Sequence, residues 1–220
     1  MKVPIAIIVV ACSCSVSGQG TFQNLDFEQA NPVFVNPYLS TVTAASALPY
    51  WTPEIGGVPQ TQIVENFFST GDPEVVLLSA NPQQPPLDGD YSVLLTGSGE
   101  PVSISQTGVI PFGTQSLFFD AKSPPENGTL AVMIGTQTVP FTPVATDPNY
   151  TVYGANISAW AGQTEQLTFS ALQSPSILNL WEIDDISFSV QVVPEPSALA
   201  LSGIGGLLFA LYQRFPPKRR

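Results

Sequence analysis

The sequence predicts an all-β domain, an antiparallel β-sandwich of the jelly-roll kind, followed by one C-terminal transmembrane helix. Three observations carry that expectation. From residue 21 to residue 190, short runs of alternating, β-branched and aromatic residues recur between clusters of Pro, Gly, Asn and Asp, with no alternation of strand and helix patterns. Cys12 and Cys14 are the only cysteines and both sit near the N-terminus, so the body must rest on an apolar core without disulfides. Residues 193–220 join a Pro-Glu-Pro, an uncharged apolar run and a basic end, in that order.

The first segment, residues 1–20, reads as a secretory leader. Lys2 precedes an apolar run from Val3 to Ala11, and small and polar residues follow, which is too short for a membrane span. Small residues allow cleavage after Gly18 or after Gly20; Val9-Val10-Ala11-Cys12 offers the alternative of a lipidated Cys12.

The body, residues 21–192, is read as strands at Phe22–Glu28, Gln62–Phe68, Glu74–Ser79, Tyr91–Thr96, Val102–Val109 and Gln115–Ala121. Further strands are expected at Leu130–Gly135, Thr138–Thr142, Tyr150–Ile157, Glu165–Ala171 and Leu178–Val190. Asp88-Gly89-Asp90 and Glu126-Asn127-Gly128 are tight-turn candidates, and the Pro-, Ser- and Ala-rich Asn31–Gly57 is expected as a long loop.

The last segment, residues 193–220, is read as an anchor. Ser197–Tyr212 is uncharged and apolar, about 24 Å long as a helix at ~1.5 Å per residue. Pro194 and Pro196 stop the helix upstream, and Arg214, Lys218, Arg219 and Arg220 would hold its far end on the cytoplasmic side.

Charge excludes several functions. Residues 19–193 hold sixteen acids against the single Lys122, a net of −15, which repels phosphate backbones and rules out nucleic-acid binding by the body. There is no histidine, and the body has no cysteine, so Ser-His and Cys-His nucleophile systems and Cys-ligated zinc are excluded. A glycosidase needs two carboxylates flanking one bond, and the sequence singles out no such pair among acids set mostly in turns. The chain is therefore read as a non-enzyme. Sugar rings would stack on exposed aromatics, for which Trp51 and Trp160 are candidates; Trp181 alternates like a core strand residue.

Val193-Pro194-Glu195-Pro196-Ser197, the short apolar helix and the terminal Arg/Lys cluster together resemble the PEP-CTERM sorting signal of Gram-negative bacteria. The resemblance implies recognition by an exosortase at Pro194, Glu195 and Pro196, transient anchoring in the inner membrane, and delivery of the body to the cell surface or extracellular matrix. Within the body, Gln23–Glu28, Gly89–Gly97, Ile104–Thr107 and Glu182–Ser189 look like the galactose-binding-like jelly roll of carbohydrate-binding modules. That resemblance implies pairing of the first and last strands and a structural calcium, whose ligands would be Glu28 and Asp185, with Asp184 and Asp26 less favoured. No other cofactor is expected. The function expected is that of an exported structural or adhesive surface protein; the alternative is a lectin-like module with polysaccharide as its partner, and a two-carboxylate hydrolase stands behind both.

Overall fold

The computed structural model describes residues 19–67, 72–80, 84–123, 128–173 and 179–193. In chain order the strands are β1 (Phe34–Asn36), β2 (Thr41–Thr43), β3 (Thr52–Ile55), β4 (Val58–Pro59), β5 (Gln62–Glu65), β6 (Glu74–Leu78), β7 (Ser92–Thr96) and β8 (Val102–Val109). They continue as β9 (Ser116–Lys122), β10 (Leu130–Ile134), β11 (Gln137–Val139), β12 (Phe141–Thr146), β13 (Thr151–Asn156), β14 (Thr164–Ala171) and β15 (Leu180–Ser189). One helical turn, α1 (Ala44–Ala47), and two short 3-10 turns, Pro37–Leu39 and Ser158–Trp160, interrupt them.

The strands form two sheets, so the chain is a β-sandwich. The larger has the order β1-β2-β5-β6-β7-β15-β9-β13-β12 and the smaller β11-β10-β14-β8-β3-β4. The pairing is antiparallel except between β5 and β6, where Val64 and Glu65 run parallel to Val76 and Leu77; the wholly antiparallel expectation is corrected there.

Alternation explains which residues meet between the sheets. Leu117, Phe119 and Ala121 of β9 and Val93 and Leu95 of β7 are buried, as are Ile104 of β8 and Leu167 and Phe169 of β14. Phe119 joins the layers. It meets Phe169 of the opposite sheet edge-on at 5.1 Å, Phe141 edge-on at 5.3 Å, and Tyr153 in a stack at 5.5 Å. Full burial of each such ring stabilises by about 1.5–3 kcal/mol, and the quadrupole-matched geometries add to that.

A bulge in β15 keeps the interior apolar. The pairing with β9 shifts register between Asp184 and Ser187, and Asp185 takes φ 44°. Trp181 and Ile183 point inward before the bulge and Ile186 and Phe188 after it, while Asp185 faces outward, its carboxyl partly desolvated. The outer face of the large sheet is also partly covered, because Val76, Leu78 and Leu94 form a second small buried cluster.

Three further expectations for the body are corrected. Phe22–Glu28 is no strand: Asn24 and Phe27 take positive φ, and the segment's hydrogen bonds go largely to side chains. Gln106 binds Gln23 at both its N–H (2.7 Å) and its carbonyl (2.9 Å), and Asn24 Oδ1 accepts from the Gln29 N–H. Ile186, donating to the Leu25 carbonyl at 3.0 Å, and the Phe22–Phe188 ring contact at 5.1 Å tie it to the last strand. Asn31–Gly57, expected as a loop, carries β1, β2, α1 and β3. Thr138–Thr142 is divided by Pro140 between β11 and β12. The leader through Gly18, the sorting motif at Pro194–Pro196, the span 197–212 and the basic cluster at Arg214, Lys218, Arg219 and Arg220 lie outside the described residues. Among the described residues no helix is long and apolar enough to cross a membrane.

Candidate binding cleft

At one end of the sandwich, the last residues of β9 and the turn joining β12 to β13 enclose an open cleft of about 490 Å³. Ala121, Lys122, Ser123 and Gly128 form one side, Thr146–Thr151 the other, and Tyr153 and Trp181 the floor. The floor is aromatic because β13 and β15 both begin here, with Tyr153 and Trp181 among their first residues; the two rings meet edge-on at 6.1 Å. Lys122, the body's one cation, faces Glu182 across the β9–β15 pair. Burial pushes the Glu182 carboxyl up, and the Ser92 hydroxyl (2.7 Å) and Lys122 oppose that rise. Tyr150 on the cleft wall shares a hydrogen bond with Asp120, whose charge pushes the phenol up.

Two buried polar atoms around the floor have no hydrogen-bond partner among the described residues. They are Nε1 of Trp181 and Oδ1 of Asn179, on side chains that are 8% and 1% exposed. Both lie beside Gly128.

A second polar region lies on the outer face of the large sheet. Asp184 of β15 is opposite Asp120 of β9. Asp184 accepts from the N–H groups of Asp185 (2.9 Å) and Asp88 (3.3 Å), yet burial raises it to about 8. Burial, then the charge of Asp185, raises Asp120 to about 6. Nearby, Glu28 Oε1 accepts from the N–H groups of Asp90 (2.8 Å) and Tyr91 (3.0 Å). Gly89, at φ 58°, lies against that carboxylate, where a Cβ would collide with it.

The two residues expected to hold calcium are brought into one neighbourhood. Burial first, then the charges of Asp88, Asp26 and Glu28, push the Asp185 carboxyl up. These donors are all oxygens, the kind a hard cation takes. Among the described residues no group of three or more acidic side chains is arranged as a ready ligand set, so main-chain carbonyls of the turn would have to complete the shell.

The candidate stacking residues are not in the cleft. Trp51 is 5% exposed, its Nε1 donates to the Asn24 carbonyl at 2.8 Å, and its ring packs on Phe27 at 5.7 Å. It offers no face to a sugar, and that expectation is corrected. Trp160 is half-buried, packed against the main core from the Ser158–Trp160 turn. Sequence reasoning missed Lys122, Tyr150 and Tyr153 as site residues. The isolation of Lys122 in an acidic body was the one signal available.

No protein-family model matches the chain, and no curated protein matches it. Solved structures do resemble it. One is the carbohydrate-binding module TmCBM61 in complex with β-1,4-galactotriose, at 13% identity and TM-score 0.42, covering 78% of this chain and 98% of that one. Another is the family 11 carbohydrate-binding module of Clostridium thermocellum bound to a β-1,3-1,4-mixed-linked tetrasaccharide, at 9% identity and TM-score 0.35, over 67% of this chain and 92% of that one. The enzymatically active domain of bacteriophage CBA120 tailspike protein 4 is similar at 18% identity and TM-score 0.40, over 70% of this chain and 22% of that one.

Proposed function

We propose that the β-sandwich is a carbohydrate-binding module that takes a neutral oligosaccharide in the cleft at Lys122, Tyr150 and Trp181. The observation that carries this reading is the cleft itself: the aromatic residues Tyr153 and Trp181 lined up with the polar side chains of Ser123, Asn149, Tyr150 and Lys122. Aromatic faces with a few convergent polar groups suit a ring that is apolar on its faces and hydroxylated at its rim. The acidity of the body disfavours polyanionic glycans.

The binding is proposed without turnover. Asp184, the carboxyl with the highest pKa, is 1% exposed and both its oxygens accept main-chain N–H groups, which leaves it no approach to a substrate bond. A structural calcium held by Glu28 and Asp185 accompanies this reading; when bound it would supply charge compensation to the surrounding acids.

Delivery is proposed from the sequence. The leader and the Pro194-Glu195-Pro196 signal would carry the chain through an inner-membrane stage, with exosortase as partner, to the cell surface or matrix. A structural or adhesive role is the second reading, favoured by edge strand β1 and its flanks. Val33, Phe34 and Val35 are about half exposed, Tyr38 is 99% exposed, and residues 29–53 carry no charge.

The test is a glycan array probed with the full chain in detergent, alongside Tyr150→Ala. Retention on neutral glycans that Tyr150→Ala weakens supports the binding reading. Retention on none of them, with sedimentation showing self-association that Phe34→Lys abolishes, favours the adhesive one.

A further inference from the structure

We infer that the uncharged pole of the sandwich around Phe112 and Trp160 rests on a phospholipid bilayer surface, so that the cleft at the opposite pole faces outward. Docking of this kind presupposes the anchor read in residues 197–212; it does not depend on sugar binding.

Four segments meet at this pole. The β8–β9 turn lies at its centre, where Ile110 donates to the Gln163 carbonyl and accepts from the Gly162 N–H, both at 2.9 Å, just after the Ser158–Trp160 turn. Gln115 donates to the Ser189 carbonyl at 2.8 Å and Ser116 Oγ to the Gln191 carbonyl at 2.6 Å, which brings the end of β15 alongside. Thr21 donates to the Val109 carbonyl at 3.3 Å, so the first described residues are here too. The cleft lies at the other end of β9, whose 7 residues span about 23 Å at ~3.3 Å each.

The pole is apolar at its tip and free of charge along its segments. Phe112 is 93% exposed and lies over Gly162, where a Cβ would be 3.2 Å from the ring. Val190 and Val192 are mostly exposed, and Trp160 is half-buried. Residues 19–25, 108–119, 153–164 and 186–193 carry no charge, in a body of net −15. Glu165, one residue beyond the third segment, turns its carboxylate against Gly135. Along β15, the Asp184–Asp120 and Glu182–Lys122 pairs stand progressively closer to the cleft.

Charge and tether together select the occupant. The acids elsewhere on the body repel anionic headgroups, so an uncharged end is the one suited to approach a bilayer. Exposed aromatic residues settle at the level of the headgroups. Val193, the last described residue, lies against Gly154, the partner of Phe118 near the start of β9. From Val193 to Ser197, where the apolar run begins, the chain makes four residue steps, about 14 Å at full extension. A tether that short cannot hold the body clear of the bilayer, and the pole beside it makes the contact.

The test is tryptophan emission of the full chain reconstituted into phosphatidylcholine vesicles, with and without bromine on the acyl chains near the headgroup. Trp51, Trp160 and Trp181 are the only tryptophans and all lie in the body, so quenching by bromine reports which part of the body touches lipid. Wild type is expected to float with the vesicles and to be quenched, and Trp160→Phe to lose most of that quenching. Phe112→Asp should still float but be quenched about twofold less, because a charge at the tip holds the turn off the interface. Phe112 is exposed and Trp160→Phe keeps an aromatic ring, so both variants are expected to fold. Unquenched emission from a floating chain, whether free or paired with a second copy through this pole, overturns the docking and leaves the anchor standing. Quenching that persists unchanged in Trp160→Phe puts another face on the bilayer and overturns it as well. A chain that does not float overturns the anchor reading, and the docking with it.

Discussion

Asp184 stands directly across from Asp120 on the outer face of the large sheet, so β15 and β9 place two carboxylates side by side. Directly opposed side chains have Cβ atoms about 4.5–5.5 Å apart, and like charges there destabilise. Burial raises both groups, Asp120 to about 6 and Asp184 to about 8, from an ordinary 3.8. The folded state thus binds protons that the unfolded chain releases. The stability these groups contribute is fully present below pH 3.8 and is lost as pH rises, through about 6 for Asp120 and about 8 for Asp184. In chelator, the melting temperature is expected to fall steadily from pH 5 to pH 9, and Asp184→Asn is expected to flatten that slope. A melting temperature rising over this range would contradict the assignment.

Calcium should reverse the cost of the ionised acids. At pH 7.5, calcium at about a hundredfold excess over its dissociation constant would add roughly 2.7 kcal/mol, about 5 °C or more in melting temperature for a domain of this size. Glu28→Gln and Asp185→Asn should each remove most of that gain. Identical melting in calcium and in chelator would retire both residues as ligands.

Trp51 is a core residue in this fold. Trp51→Ala should cost about 3–5 kcal/mol through the lost ring and the cavity it leaves, read by urea denaturation. Affinity for glycan per folded molecule should not change, because the ring is enclosed by Phe27 and bonded to Asn24.

Gly89 is needed for its backbone and for its lack of a side chain. Its φ is 58°, and a Cβ there would run into the Glu28 carboxylate that accepts from Asp90 and Tyr91. Gly89→Ala should therefore cost about 1–2 kcal/mol from the left-handed conformation alone, with further loss from displacing Glu28. The urea midpoint measures it.

Much of the sandwich was legible because its central strands announce themselves by alternation. Val102–Val109 forms β8 with the expected ends, and β9, β14 and β15 begin and end within a few residues of expectation. The failures share a cause. Phe22, Leu25 and Phe27 have the burial of a strand, but their segment is held by the Gln106 and Asn24 side chains, and such pairing leaves no periodic trace. In residues 31–57 the strands are three or four residues long, too short for a period-two signal to stand out from Pro and Ser. The acidic pairing of Glu28 with the Asp88–Tyr91 turn was within reach of motif reasoning; the cleft was not. It depends on where the β12–β13 turn folds relative to the end of β9, a distance no local pattern encodes.

The central claim is that a neutral glycan sits between the end of β9 and the β12–β13 turn. Hydrogen exchange of the full chain, with and without the neutral oligosaccharide best retained on the glycan array, locates the bound sugar directly. Slower exchange confined to residues 121–123 and 146–151 is the predicted result. Protection appearing instead along β1 at residues 33–39, or nowhere, would contradict it.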